Sequence, residues 1–168
     1  TLAEPEDLFI DFNSTDVSCF GLQDGSVNIE SSGGQAPYLY SVDGGSSFAT
    51  TESINNLSAG MYDLMVQDNM GCEDSLLLTI NEPEQTFLIV DSLAEIRLGE
   101  SYILEAFINI PNEDISSIIW TPDVNTSCVD DCLSLEVTPL QDTEYTLQVE
   151  DENGCVSETF TTVLVDTD

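Results

Sequence analysis

The chain is predicted to be all-β, two consecutive small sandwich modules, and three observations say so. Short runs of alternating apolar and polar residues are separated by explicit turn signals, stretches with helical period are absent, and one strand-plus-turn string occurs twice. With 168 residues and 41% hydrophobic content the chain can bury two small cores.

The repeat is the strongest of the three. Tyr62 and Tyr145, Val66 and Val149, Asp68 and Asp151, Gly71 and Gly154, and Cys72 and Cys155 are each 83 positions apart. The shared strings, YDLMVQDNMGC and YTLQVEDENGC, read as a strand entering an Asp/Asn/Gly hairpin. A second echo, Glu4-Pro5-Glu6 with Glu82-Pro83-Glu84 at an offset of 78, marks the module junctions, because proline stops a β ladder. The expected organisation is residues 1–6 as the end of a preceding module or a donated strand, 7–83 as the first sandwich and 84–168 as the second.

Within the first module the expected strands are VSCF, SVNIES, PYLYSV, SINNL, MYDLMVQD and SLLLTI. In the second they are FLIV, EIRL, SYILEAFI, SSIIWTP, SLEVTP, TEYTLQVED and ETFTTVLV. Asp24-Gly25, Gly33-Gly34, Asp43-Gly44-Gly45 and Asn153-Gly154 supply turn residues that tolerate positive φ. Trp120 falls on an early central strand, while Tyr62 and Tyr145 each follow a corner that a tyrosine hydroxyl can close by bonding backbone. This combination makes the sandwiches immunoglobulin-like, and core packing with corner closure is the expected role of all three aromatics.

Charge removes whole classes of function. There are 33 Asp and Glu residues, one basic residue, Arg97, and no histidine, for a formal net charge of −32. Phosphate backbones and anionic membranes both require Lys or Arg, so nucleic-acid partners and direct membrane insertion are not expected. Histidine acid/base chemistry, Ser-His-Asp and Cys-His nucleophiles and ordinary zinc sites lack their usual residues. A carboxylate-pair glycosidase needs a cleft that a sandwich with short turns hardly provides. The expectation is therefore no catalytic residues and no enzyme.

Cys19, Cys72, Cys128, Cys132 and Cys155 lack zinc-site spacing and point to disulfides and an oxidising compartment. Cys19 is paired here with Cys72, a closure of about fifty residues worth roughly 4 kcal/mol in the chain-entropy model. A local Cys128–Cys132 bond would leave Cys155 over, and Cys132–Cys155 is the alternative. No initiator Met, signal peptide or apolar run of transmembrane length is present, so the chain reads as an internal portion of something longer.

No cofactor or bound metal is assigned, with calcium the one candidate ion. Its possible oxygen ligands are Asp68-Asn69, Asp151-Glu152-Asn153 and Asp130-Asp131, none in EF-hand spacing, and turn formation by Asp and Asn explains the same residues. Three tripeptides starting at Asn13, Asn56 and Asn125 fit the N-glycosylation pattern, which recurs by chance.

The stretch VSCFGLQDGSVNIESSGGQAPYLYSVDGG, continued by NNLSAGMYDLMVQDNMGCEDSLLLTINEP, resembles the SprB-type repeat of Bacteroidetes surface adhesins over about residues 15–83. The carriers are Cys19-Phe20-Gly21, Asp24-Gly25-Ser26, Gly33-Gly34 with Pro37, Tyr38 and Tyr40, Leu57 to Gly60 with Tyr62, and Asp68 with Gly71-Cys72. Residues 87–168 resemble the PKD-like or immunoglobulin-like modules beside such repeats in type IX-secreted, gliding-associated proteins. Here the carriers are Leu98-Gly99, Trp120 with Pro122, Cys128 with Cys132, Pro139, Tyr145 and Asp151 to Cys155.

These resemblances imply a non-catalytic module of a repetitive extracellular surface protein or filament, involved in adhesion or gliding. Its partners would be neighbouring modules or identical subunits in a fibre, with surface glycans a further candidate. A polysaccharide- or glycoprotein-binding module and an accessory domain of a secreted enzyme are the alternatives. Asp74-Ser75-Leu76 and Asp91-Ser92-Leu93 match the O-glycosylation pattern the resemblance brings with it, so Ser75 and Ser92 are the expected sugar sites. Donation of a segment such as TLAEPEDLFIDF, residues 1–12, to a neighbouring subunit is a further expectation.

Overall fold

The computed structural model describes residues 6–122, the backbone of 127–129, and residues 132–167. The chain divides into two compact units, Thr1–Glu84 and Gln85–Asp168. Each is an immunoglobulin-like sandwich of two sheets, and the described residues contain strands and a single 3-10 turn, Asn112–Asp114.

In the first unit, β1 (Phe9–Thr15), β2 (Gly25–Ser32) and β4 (Ser53–Leu57) form one antiparallel sheet in the order β1-β2-β4. The other sheet is β3 (Leu39–Ser41), β5 (Gly60–Gln67) and β6 (Glu73–Ile80), in the order β3-β5-β6. Period-2 alternation places Val27 and Ile29 of β2 against Leu64 and Val66 of β5 and Leu78 and Ile80 of β6, with Tyr40 and Leu57 completing the core. Gly33 shows why glycine is needed after β2. Its φ is +74°, and a Cβ there would lie 1.8 Å from the carbonyl oxygen of Asp7.

The first strand is not where the sequence placed it. VSCF is not a strand; β1 lies upstream, with Phe9 to Thr15 each opposite a residue of β2 from Ser32 to Ser26. Residues 17–22 curl instead. Ser18 donates its N–H to Asp24 at 3.0 Å, and the Leu22 N–H donates to the Cys19 carbonyl at 3.1 Å. A side-chain carboxylate thus captures backbone that a ladder would have used. Residues 9–12 of the segment expected to be donated are therefore already paired within their own sheet, while residues 1–5 lie outside the described residues.

In the second unit, β7 (Leu88–Val90), β9 (Tyr102–Ile108), β12 (Ser134–Val137) and β11 (Ser127–Val129) make one sheet, ordered β11-β12-β9-β7. The facing sheet has the order β10-β13-β14-β8, from β10 (Ile115–Thr121), β13 (Thr143–Asp151), β14 (Val156–Asp166) and β8 (Leu93–Arg97). The β8–β14 pairing is parallel, an exception to the expected antiparallel pattern, and it runs from Leu93 opposite Thr162 to Arg97 opposite Asp166. Leu104, Leu135, Leu147, Val149 and Val163 form the centre of this core, with Trp120 and Tyr145 against them. The strand carrying Trp120 is an outer strand of its sheet, not a central one.

Candidate functional site

The repeated string folds into the same turn twice. In the first unit, Asp68 N–H donates to the Cys72 carbonyl at 2.9 Å and Gly71 N–H to the Asp68 carbonyl at 3.1 Å. The Asp68 carboxylate then accepts N–H groups from Met70 at 2.9 Å and Cys72 at 2.8 Å on Oδ1, and from Gln35 at 2.9 Å on Oδ2. In the second unit, Asp151 N–H donates to the Cys155 carbonyl at 3.0 Å, and the Asp151 Oδ1 accepts from Asn153 at 2.8 Å and Cys155 at 2.9 Å. These aspartates serve as turn formers. Among the described residues no group of three or more potential metal ligands comes together, and Asp130-Asp131 lies outside them.

Asp68 is buried, and the desolvation that would raise its pKa is outweighed by the backbone N–H groups of Cys72, Gln35, Met70 and Gly71, which hold it below the ordinary value. It lies in an open groove with Asp7, Phe9, Gln35, Met70 and Cys72. A general acid needs a raised pKa and a free proton position; Asp68 has both oxygens occupied and a lowered pKa. Asp43 shows the same behaviour more strongly. The Ser47 hydroxyl at 2.6 Å, then the Ser41 hydroxyl at 2.7 Å and the Ser47 N–H at 2.9 Å, bring its pKa to about 2. That network closes the Asp43-Gly44-Gly45 turn.

The cysteines depart from the expected pairing. Cys72 is an exposed free thiol and Cys132 retains its thiol, so neither Cys19–Cys72 nor Cys128–Cys132 nor Cys132–Cys155 forms. Cys19 and Cys155 are each disulfide-bonded, so Cys155 is not the cysteine left over. The side chain of Cys128 lies outside the described residues. Geometry explains the failure of the first pair. The Val17 N–H reaches the Asn81 carbonyl at 3.0 Å and the Gly21 N–H reaches Glu82 Oε2 at 2.8 Å, which fixes the Cys19 loop beyond the last residue of β6. Cys72 precedes the first residue of β6. Eight strand residues span about 25 Å, whereas a disulfide holds its Cα atoms within about 7 Å.

Trp120 is buried and donates from Nε1 to the Cys132 carbonyl at 3.0 Å. The Tyr62 hydroxyl donates to the Ser58 carbonyl at 2.9 Å, the expected corner closure. Tyr145 is buried in the second core, where desolvation raises its pKa. The exposed aromatics are phenylalanines: Phe9, Phe20, Phe48, Phe87, Phe107 and Phe160. Ser75, on the outward side of β6, and Ser92, between β7 and β8, are both exposed. No helix among the described residues is long and apolar enough to cross a membrane.

Residues 12–47 match the SprB repeat family. The match runs from the middle of β1 through the Asp43 turn and ends before the Tyr62 corner and the Asp68 turn, so it covers less of the module than the resemblance does. No curated protein sequence matches the chain. Among solved structures, a marsupial T cell receptor aligns with TM-score 0.43 and 16% identity over 99% of this chain and 74% of its own. The N-terminal four Ig domains of a Dscam1 isoform align with TM-score 0.39 and 10% identity over 96% of this chain and 42% of theirs. Drosophila N-cadherin EC1-4 aligns with TM-score 0.38 and 16% identity over 87% of this chain and 45% of its own. The chain thus spans under half the length of the last two.

Proposed function

Starting from the SprB-repeat match over residues 12–47, we propose that this chain is a non-catalytic structural and adhesive portion of a repetitive surface protein, displayed outside a bacterial cell. The match is the observation that carries the reading. The physical character of the modules supports it. Both cores are closed, and among the described residues no buried side-chain nitrogen or oxygen lacks a hydrogen-bond partner. The buried carboxylate Asp68 is committed to backbone. Such modules suit a spacer or binding unit more than a reaction vessel.

The finer reading is a Bacteroidetes adhesin or filament exported by the type IX route and associated with gliding. Its partners are neighbouring modules of the parent protein or identical subunits, and Ser75 and Ser92 carry O-linked sugar. The exposure of both serines supports that modification. The glycan-binding alternative loses support from burial of Trp120, Tyr40 and Tyr145, which removes the best stacking surfaces.

Antibodies against the chain, applied to intact cells of the source strain and to cells lacking these residues, test the proposal. Surface labelling and reduced attachment on deletion are expected. Labelling only after lysis, or attachment unchanged by deletion, would overturn it. Mass spectrometry of the native protein reads Ser75 and Ser92 directly.

A further inference from the structure

The outward face of β7, β9 and β12 carries apolar side chains that its core does not use. Ile89 of β7 and Phe107 of β9 lie directly opposite one another in the ladder and are 62% and 65% exposed. Two residues before Ile89, and so on the same face, Phe87 is 53% exposed. It is held there. Its N–H donates to Asn109 Oδ1 at 2.6 Å, while Asn109 Nδ2 donates to the Gln85 carbonyl at 3.0 Å. One side chain thereby continues the ladder beyond β7. Four residues back along β9, Ile103 is 52% exposed. The alternate residues Leu104, Ile108, Leu135 and Val137 point inward and are buried, so the outer set is surplus to the core.

Charge identifies what can cover this face. Glu105 stands between Ile103 and Phe107 on β9, and Glu136 lies directly opposite Ile103; both are exposed. A second copy of the chain offers one cation, Arg97, against 33 carboxylates, so copy against copy would set acid on acid. The complementary surface belongs to a different polypeptide. Along β9 the apolar, acidic, apolar order repeats every two residues, about 7 Å. A cationic group flanked by apolar side chains at that spacing would meet Glu105 while its neighbours cover Phe107, Ile89 and Ile103. We propose that the outward face of β7, β9 and β12 docks a basic, extended polypeptide segment in which Lys or Arg and apolar side chains take turns at every second residue, along one face.

The test uses the full chain and two blocked peptides of equal charge, one repeating leucine-serine-lysine-serine, which sets leucine and lysine in turn along one face of an extended chain, and one with every leucine replaced by serine, titrated at fixed ionic strength while backbone amide shifts are followed. The leucine–lysine peptide should shift amides of β7, β9 and β12, and Phe107→Thr should weaken it at least tenfold. Phe160→Thr, an equally exposed phenylalanine on the other sheet of the unit, should leave its affinity unchanged and controls for folding. The serine–lysine peptide should bind diffusely and be indifferent to Phe107→Thr. Scattered shifts with both peptides, or equal affinity for the Phe107→Thr protein, would show attraction to bulk charge alone and overturn the proposal. Concentration-dependent dimerisation abolished by Phe107→Thr would make the occupant a second copy and overturn it as well.

Discussion

Asp68 and Asp151, 83 positions apart, make the same turn with the same atoms: each donates its N–H to the carbonyl of the cysteine four residues on and accepts that cysteine's N–H on Oδ1. Asp68 goes further, reaching Gln35 in the loop after β2 through Oδ2. Asp68→Ala should therefore loosen both the β5–β6 turn and the Gln35 loop, whereas Asp151→Ala should loosen the β13–β14 turn alone. Hydrogen exchange should show faster amides at Gln35, Met70 and Cys72 in the first variant, with a fall of about 5 °C or more in the thermal midpoint of that unit.

Acid should act in two opposite stages. Asp16, Asp24, Asp43 and Asp68 all have folded pKa values below 3.8, Asp43 at about 2. A depressed folded pKa contributes stability above the unfolded pKa of 3.8, and that contribution is lost as pH falls through the folded value. Lowering the pH toward 4 reduces the magnitude of a net charge that is −32 at pH 7, which relieves self-repulsion and should raise the thermal midpoint. Below 3.8 the midpoint should fall, most steeply between 3.8 and 2. Scanning calorimetry from pH 7 to 2 checks this. A midpoint falling monotonically from pH 7 would contradict it.

Salt should stabilise the chain at neutral pH. Raising sodium chloride from 10 to 200 mM shortens the screening length from about 30 Å to under 10 Å, which weakens repulsion between neighbouring carboxylates. A rise of several degrees in the midpoint is expected. Calcium at matched ionic strength should add little specific to sodium's effect, because no metal-ligand cluster forms among the described residues. A saturable calcium isotherm would refute that.

Cys72 contributes its backbone, not its sulfur, to the Asp68 turn. Cys72→Ser should leave the midpoint within about 2 °C of the parent. It should also remove a thiol that reacts with Ellman's reagent in the native state. Cys19→Ser should be the more damaging change, since Cys19 is disulfide-bonded.

Most strands were legible because their residues alternate. Val27 and Ile29, Leu64 and Val66, and Tyr145, Leu147 and Val149 each mark one face of a strand at period 2. The Asp68 and Asp151 turns were legible from their repetition. VSCF misled because the Asp24 carboxylate takes the Ser18 N–H and the neighbouring Asp16 carboxylate takes the Asn81 N–H, and periodicity does not register that competition. The Cys19–Cys72 pairing misled because membership of one module says nothing about which end of a strand a residue occupies. The stripe from Phe87 to Phe107 could not be read at all. FLIV and SYILEAFI look like buried strands, and only the register that sets Ile89 against Phe107 shows which alternate residues face outward.

The parallel pairing of β8 with β14 has a mechanical consequence. In the second unit an early strand and the last strand run side by side in one direction, with five residues of each in register. Pulling the two ends of that unit apart loads the rungs together, in shear. The first unit has no such clamp among its described residues. Its β1 pairs with β2, and the bonds tying the β1 region to β6 and the residue after it are single ones, Ile10 N–H to Asp74 at 3.0 Å and Val17 N–H to the Asn81 carbonyl at 3.0 Å, joined by the Asp16 carboxylate on Asn81. Those can break in succession. Under tension the first unit should therefore be the compliant link and the second the stiff one.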